Sequence, residues 1–205
     1  GWVRDRDMNL LGRIVKGHEG LILHEEIPGP GDEPPVCLQN PRLFSPFELL
    51  VRLYGLPSYR GIDPSIHLAF FFALFFGTAL TDAGYGIIIS ITSLFLMKKS
   101  SLPKDFLMIL FWGGILSIVL GLVTGGIFGD LFRLESPYLP QVFGRFRNFF
   151  TVMDPLVSPM RFFRFVLFIG VVQIILGQFV GLYSALRERR ILDGLVDSLA
   201  WILLL

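Results

Sequence analysis

From Ile66 to Met97 the chain runs for 32 residues with one formal charge, Asp82. A single helix of that length would measure about 48 Å, against a hydrocarbon core of about 30 Å. It would also hold the Asp82 carboxylate near the bilayer centre, at a cost of about 3 kcal/mol on insertion scales. Two helices meeting at Thr81-Asp82-Ala83-Gly84-Tyr85-Gly86 would each be about 24 Å, slightly short of a full span. A turn there carries the carboxylate and both glycines to an interface, with Tyr85 at headgroup level. The hairpin is the preferred reading. His67, at the entrance of the run, reads as an interfacial or hydrogen-bonded histidine.

The rest of the composition agrees with a lipid environment. Hydrophobic residues make up 53% and charged residues 17%, with a mean hydropathy of +0.64. A soluble domain carries about 25% charge. Nine of the 17 acids precede Pro64, so residues 1–63 form a separate, more polar segment. In it, Leu10, Leu11, Ile14 and Val15 have the spacing of a short amphipathic helix, with a brief strand at Leu21-Ile22-Leu23 as the alternative after Val15. Pro28 to Pro46 reads as an extended linker. Phe47, Leu50, Val51 and Tyr54 mark one face of a further amphipathic helix, laid against something apolar. Net charge is +1, so no basic excess points to nucleic acid. Cys37 is the single cysteine, which excludes an internal disulfide or a Cys-based metal site. No phosphate-binding loop, His-rich cluster or Ser-His-Asp arrangement occurs, so neither a catalytic centre nor a cofactor is expected.

The fold class expected is all-α membrane, a polytopic transmembrane helix bundle over residues 64–205. Its helices are expected at 66–81, 84–97, 106–132 and 163–187, with a truncated fifth from 195. The chain begins Gly1-Trp2-Val3 and stops inside an apolar run, so it is expected to be a piece of a longer protein. Lys98, Lys99 and Lys104 cluster before the third span, and Arg187, Arg189 and Arg190 follow the fourth. Two spans separate the clusters, which therefore share a side, and the positive-inside rule makes it cytoplasmic. With the hairpin, residues 1–63 are then also cytoplasmic. The loop after Phe132 lies outside, although it carries Arg133, Arg145, Arg147 and Arg161 at lower density.

Gly113, Ser117, Gly121, Gly125 and Gly129 recur every four residues, and Gly177, Gly181 and Ala185 repeat the pattern later. Small residues at i and i+4 share one helix face and let another backbone approach closely. Leu120 lies off this stripe and is expected to meet lipid. Asp82 and Asp130 together raise the possibility of an intramembrane aspartyl protease, whose two carboxylates share a proton. The run Gly126-Ile127-Phe128-Gly129-Asp130 departs from the Gly-x-Gly-Asp of those enzymes, and no Pro-Ala-Leu element is present. Both aspartates fall near the outer surface in this topology, where a solvated carboxylate needs no special role.

The run PFELLVRLYGLPSYRGIDPSIHLAFFFALFFG, from Pro46, followed by TDAGYG, resembles the entry to the membrane domain of subunit I of V/A-type rotary ATPases. This is the bacterial and archaeal counterpart of the a subunit of vacuolar ATPases. In that family a phenylalanine-rich helix leads into a Gly-Asp-x-Gly-(Tyr/His)-Gly turn. Asp82, Gly84, Tyr85 and Gly86 match it, and Thr81 stands where the family usually has Gly. Gly125 to Phe132 resembles the end of the family's third helix, with Asp130 matching its acidic residue. Gly1-Trp2-Val3 resembles the close of the cytoplasmic domain. The resemblance implies a non-catalytic membrane stator in a prokaryotic plasma membrane, translocating protons or sodium ions against a rotating ring of proteolipid c subunits. It implies as partners the c ring, peripheral-stalk and other subunits, and the bilayer. The family's essential arginine belongs to a later helix and has no counterpart here, so Asp82 and Asp130 are carried over as structural or ion-steering candidates. The competing reading is a fragment of a secondary transporter. It requires polar or interrupted helices at mid-membrane depth, where Gln173 and Gln178 are the available groups.

Overall fold

The computed structural model describes residues 1–18, 20–29, 32, 34–59, 61–129, 131, 141–187 and 196. Among them all regular structure is helical, so the strand considered at Leu21–Leu23 does not form. The fifth helix expected from 195 falls almost wholly outside the described residues, as does Asp130.

The chain divides into two compact units, Gly1–Cys37 and Leu38–Leu205. In the first, a 3-10 turn over Asp5–Asp7 leads into α1, Met8–Lys16. Arg4 donates to Asp7 at its start, and the Gly17 N–H closes its last turn on Arg13 and Ile14. Leu10 and Ile14 on its apolar stripe are exposed.

The second unit takes in residues 38–63, which the sequence pattern had grouped with the N-terminal segment. Asn40 is one of the links. Its amide donates to Asp63 at 2.6 Å and to Glu48 at 3.1 Å. Asp63 in turn accepts at 2.9 Å from the Ser65 N–H, one of the donors left without a helical partner at the start of α3 (Ser65–Leu80). Burial alone would raise the Asp63 carboxyl, but the hydrogen bonds from Ser65 and Asn40 hold it below its ordinary value. A 3-10 turn at Ser45–Phe47 opens α2, Glu48–Tyr54. Phe47 packs with Ala69 and Ile109, ringed by Phe44, Leu50, Phe72 and Trp112. The apolar partner of α2 is therefore the helix layer itself.

That layer is built from α3, α4 (Ala83–Lys99) and α5 (Lys104–Thr124). Thr81 takes a left-handed conformation, φ 44°, and Asp82 is extended, so no helix passes through them. Phe76 lies over Gly113, and Gly77 lies against Leu116 and Leu120, so α3 runs alongside α5 in the same direction. Ala83 meets Gly121 and Gly86 meets Gly114 and Ile118, so α4 runs the opposite way. The chain thus reverses at Thr81–Asp82, and α5 lies between the two arms. Leu120, expected to meet lipid, packs on Gly77 instead.

The small residues sort accordingly. A Cβ on Gly113 would lie 2.7 Å from the Phe76 ring of α3, while Gly121 and its off-stripe neighbour Gly114 face α4. Ser117 is fully buried and donates to the Asp82 carbonyl. The helix expected to reach residue 132 stops at Thr124. Gly125, at φ 77°, donates to the Leu122 carbonyl, and the Gly126 N–H reaches back to Gly121 at 2.9 Å. This pair of bonds is a Schellman stop, which needs a residue free to adopt positive φ.

Then α6 (Gln141–Phe150) and α7 (Pro159–Arg187) follow. At Gly177 and Gly181 nothing among the described residues lies within 4 Å of where a Cβ would stand. Two helices, α5 and α7, are long and apolar enough to cross a membrane. At 16 and 17 residues, α3 and α4 are shorter, about 24–26 Å each.

Gly121→Ala should test the close approach of α4 and α5. The added methyl would collide with the Ala83 backbone, which cannot swing aside as a side chain can. A loss of about 1–3 kcal/mol is expected, read as reduced thermal stability in detergent. Val119→Ala, at an exposed position of the same helix, should be near neutral. Equal effects at both positions would rule out the backbone contact.

Candidate functional site

The residues singled out from the sequence meet where α3 ends, α4 begins and α5 stops. Asp82 is the N-cap of α4: its Oδ1 accepts from the Tyr85 N–H at 3.0 Å. The same oxygen accepts from Phe128 N–H at 3.0 Å, and Oδ2 accepts from Gly129 N–H at 2.6 Å. The carboxylate is only 6% exposed. A solvated carboxylate was one of the roles expected of it, beside a structural one, and here the side chain is enclosed. The loop after Gly125 folds back over it and replaces water with two backbone donors.

Further bonds lock the same corner. Ala83 N–H donates to the Gly126 carbonyl at 2.8 Å, and Thr124 Oγ1 donates to the Thr81 carbonyl at 3.3 Å. The Phe128 ring lies against Gly84, where a Cβ would come within 2.7 Å, and meets Tyr85 edge-on. Phe128 itself sits at φ 49°, a conformation uncommon for a bulky residue and held here by its neighbours. The Asp82-Gly84-Tyr85 turn and the Gly125–Gly129 segment are therefore two halves of one structure.

A buried guanidinium completes it. Arg147, on α6 and only 7% exposed, donates from Nε to the Gly125 carbonyl at 2.7 Å. It also donates to Asn148 and pairs with Asp154. The guanidinium stands at the carbonyl end of α5, where a positive charge is favoured by the helix dipole. Two further N–H groups, of Val152 and Met153, donate to the Val123 carbonyl. Burial would raise the Asp154 carboxyl, but hydrogen bonds from Arg147 and the Leu156 N–H, with the Arg147 charge, bring it below its ordinary value. Between these groups lies a recess of 240 Å³ lined by Thr81, Asp82, Gly125, Arg147, Asp154 and Leu156.

Chemically, this corner anchors. The Asp82 carboxylate is engaged by three backbone donors, and the Arg147 charge is balanced by Asp154. Neither is placed as a nucleophile, and no group of three or more His, Cys, Asp or Glu side chains gathers among the described residues. Asp130, the other carboxylate weighed for a protease pair, lies outside the described residues. Sequence reasoning missed Arg147 and Asp154. Arg145 and Arg147 look alike in the loop, and nothing in their spacing to Asp154 says which one turns inward.

Asp82→Asn should cost about 2 kcal/mol, because a neutral amide weakens all three bonds and presents N–H to one of the N–H donors. The check is denaturant unfolding in detergent, and an unchanged midpoint would exclude the carboxylate as an anchor. Arg147→Ala should cost on the order of 2 kcal/mol, since it takes the guanidinium from the Gly125 carbonyl and removes the opposite charge from beside Asp154. Replacing both by apolar residues should cost less than the two single losses added. The pH dependence has a definite sign. Asp154 titrates lower in the folded protein than in the unfolded chain. Its contribution is therefore complete above the unfolded carboxylate value, about 4, and fades as pH falls through the folded one. Asp154→Asn should flatten the acid limb of the stability profile, and an unaltered limb would remove the pair from the account.

No family model matches the chain. Curated relatives do. It is 32% identical over 228 residues to the A-type ATP synthase subunit I of Methanocaldococcus jannaschii, covering all of this chain and 33% of that protein. The Methanothermobacter thermautotrophicus protein of the same name is 33% identical, over 99% of the chain and 31% of its own length. The V-type ATP synthase subunit I 2 of Treponema pallidum is 31% identical over 80% of the chain and 38% of its own length. The chain thus spans about a third of the length of the curated relatives it matches. Likeness sustained at this level, along the whole chain and across archaeal and bacterial proteins, makes it a member of the subunit I family of A-type and V-type ATP synthases.

Proposed function

We propose that this chain forms the first membrane helices of the stator of an A/V-type rotary ATPase, a non-catalytic and multi-pass part of it. In this reading α3, α4, α5 and α7 all cross the membrane, and residues 1–63 are cytoplasmic. The complete subunit works against a rotating c ring to move protons or sodium ions. The contribution of this segment is support: it sets a rigid wall beside which the ion path is built. One observation carries the proposal. Asp82, the acidic residue of the membrane turn, is spent on three backbone donors that join α4 to the end of α5. A carboxylate so engaged holds helices together and has little capacity left for a passing ion. The transporter reading finds less to rest on, because α5 and α7 run unbroken and the interruption at Thr81–Asp82 lies at helix ends.

The complete subunit, affinity-tagged, should co-purify with the c ring and the peripheral subunits, and this segment alone should hydrolyse no ATP. In the complete protein, Asp82→Asn should lower the yield of assembled complex. Ion pumping by reconstituted vesicles, normalised to assembled complex, should stay near the parent level, and the same holds for Asp130→Asn. Pumping abolished with assembly intact would overturn the support role and make the residue part of the path.

A further inference from the structure

Helix α6 is amphipathic in the reverse of the usual sense. Its inward face carries Gly144 and Arg147, both buried, and Arg147 reaches the end of α5. Its outward face carries Val142, Phe146 and Phe149, spaced four and three residues apart, and Phe149 is 83% exposed. A helix that buries its arginine and exposes its phenylalanines is not arranged for water.

Its depth follows from the same hydrogen bond. Arg147 Nε holds the carbonyl of Gly125, the residue that ends α5. With 21 residues, α5 is about 31 Å long, close to the hydrocarbon thickness of a bilayer. If α5 spans, its last carbonyl lies at the membrane boundary, and α6 lies within one side chain of that plane. At 10 residues, about 15 Å, α6 is too short to cross. Arg145 is exposed one helical turn before Phe149, where its stem can follow the acyl edge while its charge meets phosphate. Arg161 and Arg164, exposed at the start of α7, add positive charge in the following segment.

We propose that α6 is an interfacial helix whose partner is the lipid leaflet at the C-terminal end of α5. Val142, Phe146 and Phe149 enter the acyl boundary, and Arg145 lies among the headgroup phosphates. The proposal rests on the membrane-spanning reading of α5. It gives the Arg147–Asp154 pair a second role, fixing the rotation of α6 so that the rings face lipid.

The test uses the complete protein with its native cysteines, Cys37 included, replaced by serine. Nitroxide labels go at Phe149→Cys, Phe146→Cys and Arg145→Cys, with Val119→Cys on α5 as the lipid-facing reference. The carrier is vesicles of phosphatidylcholine and phosphatidylglycerol. At 146 and 149, collisions with oxygen should far exceed those with a water-soluble nickel chelate, at a depth of roughly 5–10 Å below the phosphates. The label at 145 should report phosphate level. Chelate access at 149 equal to that of a water-exposed site overturns the proposal, and so does low access to both reagents, which would mean a protein surface covers α6. A lipid signal at Val119 alongside either result confines the failure to α6. A water signal at Val119 refutes the spanning reading itself and the α6 proposal with it.

Discussion

One carboxylate ties α4 to the end of α5. Asp82 caps α4 through Tyr85 and clamps the exit loop of α5 through Phe128 and Gly129, while its own carbonyl accepts from Ser117 in the middle of α5. A buried carboxylate is costly unless its lone pairs are used, so the backbone must close around it. That requirement propagates. The loop can supply its N–H groups only if α5 stops at Thr124, which needs Gly125 at positive φ. It can seat Phe128 only if position 84 has no side chain. The reversal of the chain at Thr81 sends α4 back antiparallel to α5, and α3 packs on α5 from its other side, where Gly77 and Gly113 let the two helices touch.

The second constraint is the closeness of α4 and α5. In an apolar surrounding there is little hydrophobic gain from bringing two helices together, so packing and hydrogen bonds must supply the association. Gly86, Gly114 and Gly121 remove the side chains that would hold the backbones apart, and Ser117 adds a hydrogen bond across the gap. The carbonyl end of α5 is then closed by Arg147, whose charge Asp154 balances. That closure acts at one end of the layer. The other end is held by Asn40 and Asp63 at the start of α3 and by Phe47 packed on Ala69 and Ile109.

Under the stator role proposed above, such an arrangement makes mechanical sense. Torque on a stator is borne by parts that hold their shape, and at this corner the carboxylate, the guanidinium and the end of α5 are each hydrogen-bonded. Such a corner suits a support better than a conduit, since moving an ion past Asp82 would require breaking bonds that hold α4 and α5 together.

The sequence by itself determined the period and the punctuation. Apolar runs without charge marked the helices, and Thr81–Asp82 marked the interruption, because a lone carboxylate in a long apolar run is tolerable only at an end. The Asp82-Gly84-Tyr85 turn and the Gly125–Gly129 segment were legible one at a time. Tertiary structure decided how they were joined. Whether Asp82 faces water or backbone depends on a loop more than forty residues later, as the bonds to Phe128 and Gly129 record. It also decided that the glycine stripe splits between two neighbours, because α5 lies between α3 and α4, and that Arg147 turns inward while Arg145 does not. Local periodicity reports which residues share a face. Which partner that face meets is fixed by contacts between segments distant in sequence, and no local pattern contains that choice.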